Sequence, residues 1–199
     1  THTKARTVAT VPWLMLRHRP YFLPAGGSSP VGALGAVEIA LEIANQVEHG
    51  VMPEPSQVVT AVGSGGTAAG LLLGFRLAGL DTKVLAVVVN DTLKLDSAAL
   101  VRLAKKSEGL LRRRGAHFSD LDLDGDGLIV TTDQIGPGYG HATEAAGMAA
   151  RQAADRADLE LDPVYTAKAM AGMLALDDGR LGPGPVVFID TNGPRAVQN

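Results

Sequence analysis

Val59-Thr-Ala-Val-Gly-Ser-Gly-Gly-Thr-Ala-Ala-Gly70 combines an apolar strand, a turn of glycines and the first residues of a helix. Glycine has no Cβ atom, so backbone N–H groups in such a turn can approach a ligand closely. The N-terminus of the following helix carries partial positive charge, which favours a phosphate or a carboxylate there. The stretch therefore predicts an anion-binding turn at the end of a strand.

The composition of the chain is that of a folded domain, with 46% hydrophobic and 20% charged residues among 199. The formal net charge is -3, which offers no general attraction for nucleic acid or an anionic membrane, so we expect neither as a partner. The sequence contains no cysteine, which excludes disulfides and cysteine-ligated metals. No stretch has the length of a membrane span, and we expect a cytoplasmic protein.

Strand and helix patterns alternate along the chain. Continuous apolar runs predict strands at 57–62, 83–89, 128–132 and 186–190. Helical periodicity and end signals predict helices at 33–47, 67–78, 97–114, 143–155 and 166–176. This alternation predicts an α/β fold, in which helices cover both faces of a mainly parallel, twisted sheet.

Three loops follow predicted strands. They are the turn that begins at Gly63, Gly136-Pro-Gly-Tyr-Gly140, and Thr191-Asn-Gly193. The carboxyl ends of parallel strands lie at one edge of a sheet, where α/β proteins bind their ligands. We therefore expect the three loops to surround one pocket.

The spacing within the glycine turn leaves several ligands open. A nucleotide-hydrolysing Walker loop is excluded, because no lysine lies between Val59 and Thr82. A dinucleotide fingerprint fits as Gly63-x-Gly65-x-x-Ala68, with Asp91 placed to hold a ribose. A turn without any ligand fits as well. So does a cup for the phosphate of a smaller cofactor such as pyridoxal phosphate, with Ser64 and Thr67 as additional hydroxyl donors.

Five blocks in the same order resemble the fold-type II pyridoxal-phosphate enzymes of the D-cysteine desulfhydrase and aminocyclopropane-carboxylate deaminase family. The blocks are Pro24-Ala-Gly-Gly-Ser-Ser-Pro-Val-Gly-Ala-Leu-Gly35, Gly63-Ser-Gly-Gly-Thr-Ala-Ala-Gly-Leu71, Gly136-Pro-Gly-Tyr-Gly140, Asp162-Pro-Val-Tyr-Thr-Ala-Lys-Ala-Met170 and Phe188-Ile-Asp-Thr-Asn-Gly193. The resemblance implies a tryptophan synthase β-like fold and pyridoxal 5'-phosphate as cofactor. It places the large, cofactor-phosphate-binding domain at 21–199, after an N-terminal segment at 1–20 whose role it leaves open.

The resemblance also implies roles for individual residues. Tyr139 and Tyr165 match tyrosines that flank the cofactor and substrate, and they are the candidate catalytic residues. The candidate cofactor-binding residues are Gly63, Ser64, Gly65, Gly66, Thr67, Thr166 and Thr191. Thr166 matches a position beside the pyridine nitrogen, where deaminases of the family carry glutamate and desulfhydrases carry threonine. Its neutral hydroxyl favours β-elimination over the opening of a cyclopropane ring.

The chain departs from the family in one large respect. It has no match to the Schiff-base lysine or to the Ser-Asn-His loop for the substrate carboxylate, which family members carry in an N-terminal part. We therefore expect a lyase subunit or fragment that acts on a small amino acid by β-elimination or deamination. A second polypeptide would carry the lysine, in a homo- or hetero-oligomer. The alternatives are a catalytically inactive subunit or interaction module of the same fold and, more remotely, an NAD(P)-binding Rossmann-type domain.

An acidic stretch, Asp122-x-Asp124-x-Asp126-Gly127, is similar to a calcium loop but lacks the glutamate at its last position. The residues that follow it are predicted as a strand, whereas a calcium loop of this kind is followed by a helix. We therefore interpret the stretch as an acidic turn and expect no metal site.

Overall fold

The computed structural model describes residues 17, 19, 23–176 and 184–191. The α-helices within these residues are α1 (Leu34–Glu48), α2 (Gly66–Ala78), α3 (Ser97–Arg113), α4 (Glu144–Ala157) and α5 (Thr166–Leu176). The strands are β1 (Gln57–Val62), β2 (Lys83–Val88), β3 (Leu128–Thr131) and β4 (Val186–Phe188). Every predicted helix and strand is present, and no predicted boundary differs from the observed one by more than two residues.

The four strands form a parallel sheet in the order β3-β2-β1-β4. The long central pair is in register from Gln57 opposite Lys83 to Val62 opposite Val88. All six residues of β1 are buried, as expected for a strand with helices on both faces. The predicted α/β fold with a parallel sheet is therefore confirmed.

Alternate residues of the strands face two different hydrophobic clusters. Val58, Val62 and Val84 pack in the cluster that contains buried residues of α1, α2 and α3. Val59 and Leu85 point the other way, into the cluster that contains Ala169 of α5. Because side chains alternate across a strand, this arrangement places α1, α2 and α3 on one face of the sheet and α5 on the other.

Helix α2 packs very closely against α1. A Cβ atom at Gly70 would lie 2.3 Å from the carbonyl oxygen of Ala33 and 2.7 Å from Cβ of Ala36. One turn later, a Cβ atom at Gly74 would lie 2.5 Å from Cβ of Ala40. Glycine is therefore needed at both positions for the two backbones to approach so closely. This packing fixes the helix whose N-terminus forms the glycine turn.

Short polar side chains begin two of the helices. The Asp96 carboxylate accepts a hydrogen bond from the Ala99 N–H at 2.8 Å, and the Thr143 hydroxyl accepts one from the Ala146 N–H at 3.1 Å. Each satisfies an N–H group that the first turn of a helix cannot pair internally. The backbone hydrogen bond from Ala99 lowers the pKa of Asp96, and Lys94 adds to the effect. Thr143 thus ends the loop that carries Tyr139 and begins α4.

The acidic stretch is followed by strand β3, as the sequence predicts, and the described residues contain no cluster of three or more potential metal ligands. Among the described residues, no helix is long and apolar enough to cross a membrane. The predicted segment 1–20 lies outside the described residues except for Arg17 and Arg19. The proposed division of the chain at residue 20 therefore stays a prediction.

Candidate active site

One cleft of about 710 Å³ lies at the carboxyl ends of the strands. The turn after β1 (residues 63–67, the glycine loop) forms one wall of this cleft. Residues 25–28, the serine turn, form a second wall, and Asn90 lies at the exit of β2. The lining includes all of the candidate residues from the sequence, which are Gly63, Ser64, Gly65, Gly66, Thr67, Tyr139, Tyr165, Thr166 and Thr191. The predicted convergence of three strand-exit loops is therefore observed, with Thr191 representing the third loop.

The glycine loop turns the chain from β1 into α2. Gly65 precedes the helix with a φ of +96°, a left-handed conformation that residues with a side chain rarely adopt. Helix α2 begins at Gly66, so N–H groups of its first turn lack carbonyl partners within the helix. Together with the helix dipole, these N–H groups make the floor of the cleft favourable for an anion.

The serine turn completes the glycine loop from the other side. The Ser28 hydroxyl accepts a hydrogen bond from the Gly66 N–H at 2.8 Å and donates one to Ser64 Oγ, also at 2.8 Å. Because Ser64 accepts from Ser28, its own hydroxyl hydrogen can be donated to a ligand. Ser28 lies in the first of the five blocks that resemble the family, but the resemblance implies no role for it. No local pattern could have revealed its role, since Ser28 and Gly66 are 38 residues apart in sequence.

Two tyrosines meet above the glycine loop. The hydroxyls of Tyr139 and Tyr165 share a hydrogen bond, and their rings lie edge to face with centroids 6.1 Å apart. A Cβ atom at Gly63 would lie only 2.9 Å from Cε1 of Tyr165, so the Tyr165 ring packs directly on the loop. The hydrogen bond with Tyr139, followed by burial, raises the pKa of Tyr165 to about 12. Tyr165 therefore keeps its proton at neutral pH.

Side chains that follow β2 hold the surrounding loops. Asn90 donates from Nδ2 to the Gly63 carbonyl oxygen at 2.8 Å and thereby fixes the start of the glycine loop. Asp91 accepts from the Tyr139 N–H at 3.0 Å through Oδ1. The dinucleotide interpretation of the sequence predicts that Asp91 binds a ribose. In the structure its carboxylate supports the loop that carries Tyr139. Both residues follow a buried strand, and this signal in the sequence could have identified Asn90.

The two remaining predicted residues differ in exposure. Thr166 is 1% exposed, and its hydroxyl accepts from the Asp162 N–H at 2.8 Å while it donates to the Asp162 carbonyl oxygen at a long 3.4 Å. Asp162 also accepts from the Tyr165 N–H at 2.7 Å, so one residue orients both Tyr165 and Thr166. Thr191 is exposed at the exit of β4. The cofactor contacts assigned to these two threonines stay predictions.

No lysine of the described residues lines the cleft. Lys168, which lies within one of the resembling blocks, is fully buried and donates from Nζ to the Ile135 carbonyl oxygen at 2.7 Å. Burial lowers the pKa of this lysine, against the opposing effect of the Asp91 charge. Lys168 thus points to the base of the loop that carries Tyr139 and not into the cleft.

The sequence profile of one family, described as pyridoxal-phosphate dependent enzyme, matches residues 4–192. The chain belongs to this family. Pyridoxal phosphate is the cofactor of the family, as the resemblance implies, and the alternative of a Rossmann-type dinucleotide domain has no support from the match.

Curated relatives give a closer comparison. The D-cysteine desulfhydrase of Klebsiella pneumoniae (strain 342) is 37% identical over 182 residues, which are 90% of this chain and 52% of the relative. The D-cysteine desulfhydrase of Salmonella newport (strain SL254) is 38% identical over 181 residues, with the same shares. The chain thus spans about half the length of the curated relatives that it matches.

Solved structures agree with this assignment. The crystal structure of an ACC deaminase homologue is similar with a TM-score of 0.71 and 28% identity, over 94% of this chain and 55% of that one. O-acetyl serine sulfhydrylase isoform 3 from Entamoeba histolytica has a TM-score of 0.51 at 18% identity, over 92% of this chain and 50% of that one, and shows the fold alone. The fold is that of the type II pyridoxal-phosphate enzymes.

The glycine loop has the properties that the phosphate group of this cofactor requires. Its backbone bends through a left-handed residue, its helix N-terminus presents N–H groups, and Ser64 and Thr67 add hydroxyls at the same cleft. Side chains at Gly63 and Gly66 would collide with Tyr165 and Ser28, at 2.9 and 2.8 Å respectively, so the loop is built without them. The donor set therefore fits a phosphate.

Proposed function

We propose that this chain is the cofactor-phosphate-binding part of an enzyme that removes a leaving group from the β-carbon of a small amino acid, as in D-cysteine desulfhydration. The observation that supports this proposal best is the contact of the tyrosine pair with the glycine loop. Gly63 leaves space for the Tyr165 ring, and the Tyr165 hydroxyl is hydrogen-bonded to that of Tyr139. The groups proposed to bind phosphate and those proposed to carry protons thus line one cleft.

The glycine loop would hold the cofactor through its phosphate. The proposed donors are the hydroxyls of Ser64 and Thr67 and the N–H groups of the first turn of α2 other than that of Gly66, which donates to Ser28. Ser28 also donates to Ser64 and so holds its hydroxyl in place. When bound, pyridoxal phosphate supplies an electron sink that makes a hydrogen on the α-carbon of an amino acid acidic. The protein must then orient the substrate, keep water out and move protons.

Tyr139 and Tyr165 are the proposed proton carriers. Tyr165 stays protonated at neutral pH because the bond to Tyr139 raises its pKa to about 12. Tyr139 is 41% exposed at the mouth of the cleft, so its hydroxyl is accessible to a substrate as well as to Tyr165. We propose that the pair donates a proton to the departing sulfur and takes it back from solvent through Tyr139.

Thr166 supports elimination of a good leaving group over ring opening. Its buried hydroxyl is neutral at all ordinary pH values and can offer a pyridine nitrogen only a hydrogen bond. A carboxylic acid in the same place would protonate the ring and deepen the electron sink, which the opening of a cyclopropane needs more than the loss of sulfide does. We therefore interpret the similarity to the ACC deaminase homologue as one of fold and not of reaction.

We propose that the lysine which anchors the cofactor is carried by a second polypeptide, because no lysine of the described residues lines this cleft. The same polypeptide would supply the groups that bind the carboxylate of the substrate. We expect the working form to be an oligomer in the cytoplasm.

The test begins with this chain alone. Calorimetric titration with pyridoxal phosphate should show binding, whereas pyridoxal, which lacks the phosphate, should bind at least about tenfold more weakly. The double variant Ser64→Ala and Thr67→Ala should weaken the binding, and Ser119→Ala, remote from the cleft, is the matched control. Equal affinity for the two ligands would contradict the phosphate role, and binding of a nicotinamide dinucleotide instead would support the Rossmann alternative.

The second stage adds the proposed second polypeptide. The chain is co-expressed with a polypeptide that carries the lysine-bearing half of a D-cysteine desulfhydrase, and pyruvate and sulfide released from D-cysteine are measured. Borohydride reduction and mass spectrometry then locate the pyridoxyl group, which we expect on a lysine of the second polypeptide. Cofactor binding without product in the complex would favour the inactive-subunit alternative. A pyridoxyl group on a lysine of this chain would refute the split site.

A further inference from the structure

Lys168 contacts the loop that carries Tyr139 from within the protein core. The residue lies on α5, three positions after Tyr165, and its side chain is fully buried. Its Nζ atom donates to the carbonyl oxygen of Ile135 at 2.7 Å. Ile135 directly precedes residues 136–140, the tyrosine loop. The start of α5 therefore reaches the tyrosine loop at two points, through Lys168 at the base and through Tyr165 at the Tyr139 hydroxyl.

The tyrosine loop needs such support because its glycine-rich backbone can adopt many conformations. Gly136, Gly138 and Gly140 all have positive φ, at +66°, +132° and +87°. A glycine-rich segment loses more conformational entropy on ordering than other sequences do, so contacts from outside must hold it. The Asp91 carboxylate provides one contact at the Tyr139 N–H, and Lys168 provides another at the Ile135 carbonyl oxygen.

A buried ammonium at this place has an energetic cost. Burial lowers the pKa of Lys168, and the charge of Asp91 opposes only part of that effect. Methionine would fill a similar volume without any charge to desolvate. The hydrogen bond to Ile135 is the interaction that only the amine can make. A role in positioning the tyrosine loop therefore explains why a lysine is buried here.

We propose that Lys168 is a positioning residue that fixes the base of the tyrosine loop and thereby sets the meeting point of the Tyr139 and Tyr165 hydroxyls over the glycine loop. The functional meaning of that meeting point rests on the proposed function. The geometric role of Lys168 does not, and it can be measured on this chain without cofactor or substrate.

The primary test is hydrogen exchange of the Tyr139 amide, which the Asp91 carboxylate protects. In Lys168→Met we expect this amide to exchange about tenfold faster, because the base of the loop loses a charge-assisted hydrogen bond. Lys106→Met is the matched control, since Lys106 is an exposed lysine on α3. The amides of β1 should keep their protection in both variants and thereby report that the core is intact. An unchanged Tyr139 rate in a folded Lys168→Met chain would overturn the proposal.

Two chemically modified forms of one cysteine variant provide a second test if Lys168→Met does not fold. The sequence contains no cysteine, so Lys168→Cys provides a single thiol. The unfolded variant is alkylated with bromoethylamine or with bromopropane and then refolded. The two side chains have the same length and differ only in a terminal nitrogen or carbon. Native exchange at Tyr139 with the amine and faster exchange with the propyl group are expected, and equal rates in the two chains would refute the role.

The titration of the tyrosines provides a second readout. Since the bond to Tyr139 is the main reason that the pKa of Tyr165 is about 12, a displaced loop should return that pKa toward the ordinary 10.0. Near-ultraviolet absorbance of tyrosinate measures the change in Lys168→Met, and Lys106→Met should titrate as the native chain does. A pKa of Tyr165 that remains near 12 in Lys168→Met would contradict the proposal.

The reconstituted enzyme separates this role from the proposed function. Lys168→Met should lower kcat about tenfold for the elimination and leave the affinity for pyridoxal phosphate unchanged, because the glycine loop holds the phosphate. An equal loss of cofactor affinity would show a general structural effect and overturn the specific role. Failure of the native complex to bind cofactor or release product would instead count against the proposed function, and it would leave the exchange result standing.

Discussion

The glycine loop and the tyrosine loop face the same cleft but are held in different ways. The glycine loop is continuous with α2, in which every residue from Ala68 to Phe75 is buried. The tyrosine loop lies at the surface, with Tyr139 41% exposed, and polar contacts from Asp91, Tyr165 and Lys168 hold it. The packing of a buried helix, together with the hydrogen bonds of Asn90 and Ser28, therefore fixes the proposed phosphate site. The proposed proton carrier lies on an exposed loop that polar side chains hold.

The largest effect is expected where an added side chain would overfill the contact between α1 and α2, which supports the glycine loop. Gly70→Ala would place a Cβ atom 2.3 Å from the Ala33 carbonyl oxygen, so the backbones of α1 and α2 must separate. We expect a loss of about 3 kcal/mol in the free energy of unfolding. Chemical denaturation followed by circular dichroism measures it.

Gly147→Ala in α4 is the matched control, because the nearest atom to its added Cβ is the mobile end of Arg151 at 3.6 Å. That variant should gain about 0.5–1 kcal/mol from helix propensity. Equal effects of the two substitutions would contradict the close packing of α1 on α2.

An intermediate effect is expected where the serine turn contacts the glycine loop. Ser28→Ala removes the acceptor of the Gly66 N–H and the donor to Ser64. We expect a loss of about 1–2 kcal/mol in stability and an affinity for pyridoxal phosphate about fivefold lower, because two hydrogen bonds are lost beside the phosphate donors. Thermal denaturation and calorimetric titration measure the two quantities.

Ser29→Ala controls for the removal of a hydroxyl in the same segment. The Ser29 hydroxyl accepts from the Gly32 N–H at 3.0 Å and takes no part in the glycine loop. This variant should keep the affinity for pyridoxal phosphate. A similar loss of affinity in both variants would show that the serine turn acts only through its overall stability.

The smallest effect is expected at the tyrosine pair, and it depends on pH. The pKa of Tyr165 is about 12 in the folded chain and 10.0 in an ordinary tyrosine, so the folded state holds the proton more tightly. This stabilisation is complete below pH 10 and is lost as the pH rises toward 12. Tyr165→Phe should cost about 0.5–1 kcal/mol at neutral pH and make stability less dependent on pH in that range.

A double-mutant cycle sharpens the result. Because Tyr139 and Tyr165 share one bond, Tyr139→Phe should change the pH profile in the same way, and the double variant should lose little more than either single variant. Additive losses would mean that the two hydroxyls act independently.

Much of the fold was accessible from the sequence because local rules govern it. The apolar run of β1, the glycines after it and the amphipathic helices are signals that a short window contains, and every element they predict is present within two residues of its predicted bounds. The strand-exit rule also brought the glycine loop, Tyr139 and Thr191 to one cleft, whereas Tyr165 and Thr166 came from the family resemblance. Their roles toward a cofactor came from resemblance to the family and stay predictions.

The residues that the sequence did not reveal act across long separations. Ser28 supports Gly66 from 38 residues away, and Asp91 holds the Tyr139 N–H from 48 residues away. The contact of Lys168 with the Ile135 carbonyl oxygen spans 33 residues. Such pairs depend on how the helices and loops meet in three dimensions, which periodicity and spacing do not encode.

The close packing of Gly70 and Gly74 against α1 has a consequence for changing the specificity of this protein. A library of substitutions in the glycine loop or α2 would be dominated by chains that do not fold, since those backbones have no spare room. The exposed residues beside Tyr139 that are not glycine, Pro137, His141 and Ala142, tolerate replacement more readily. Directed evolution of the proposed activity should therefore keep residues 63–78 constant and vary these three positions.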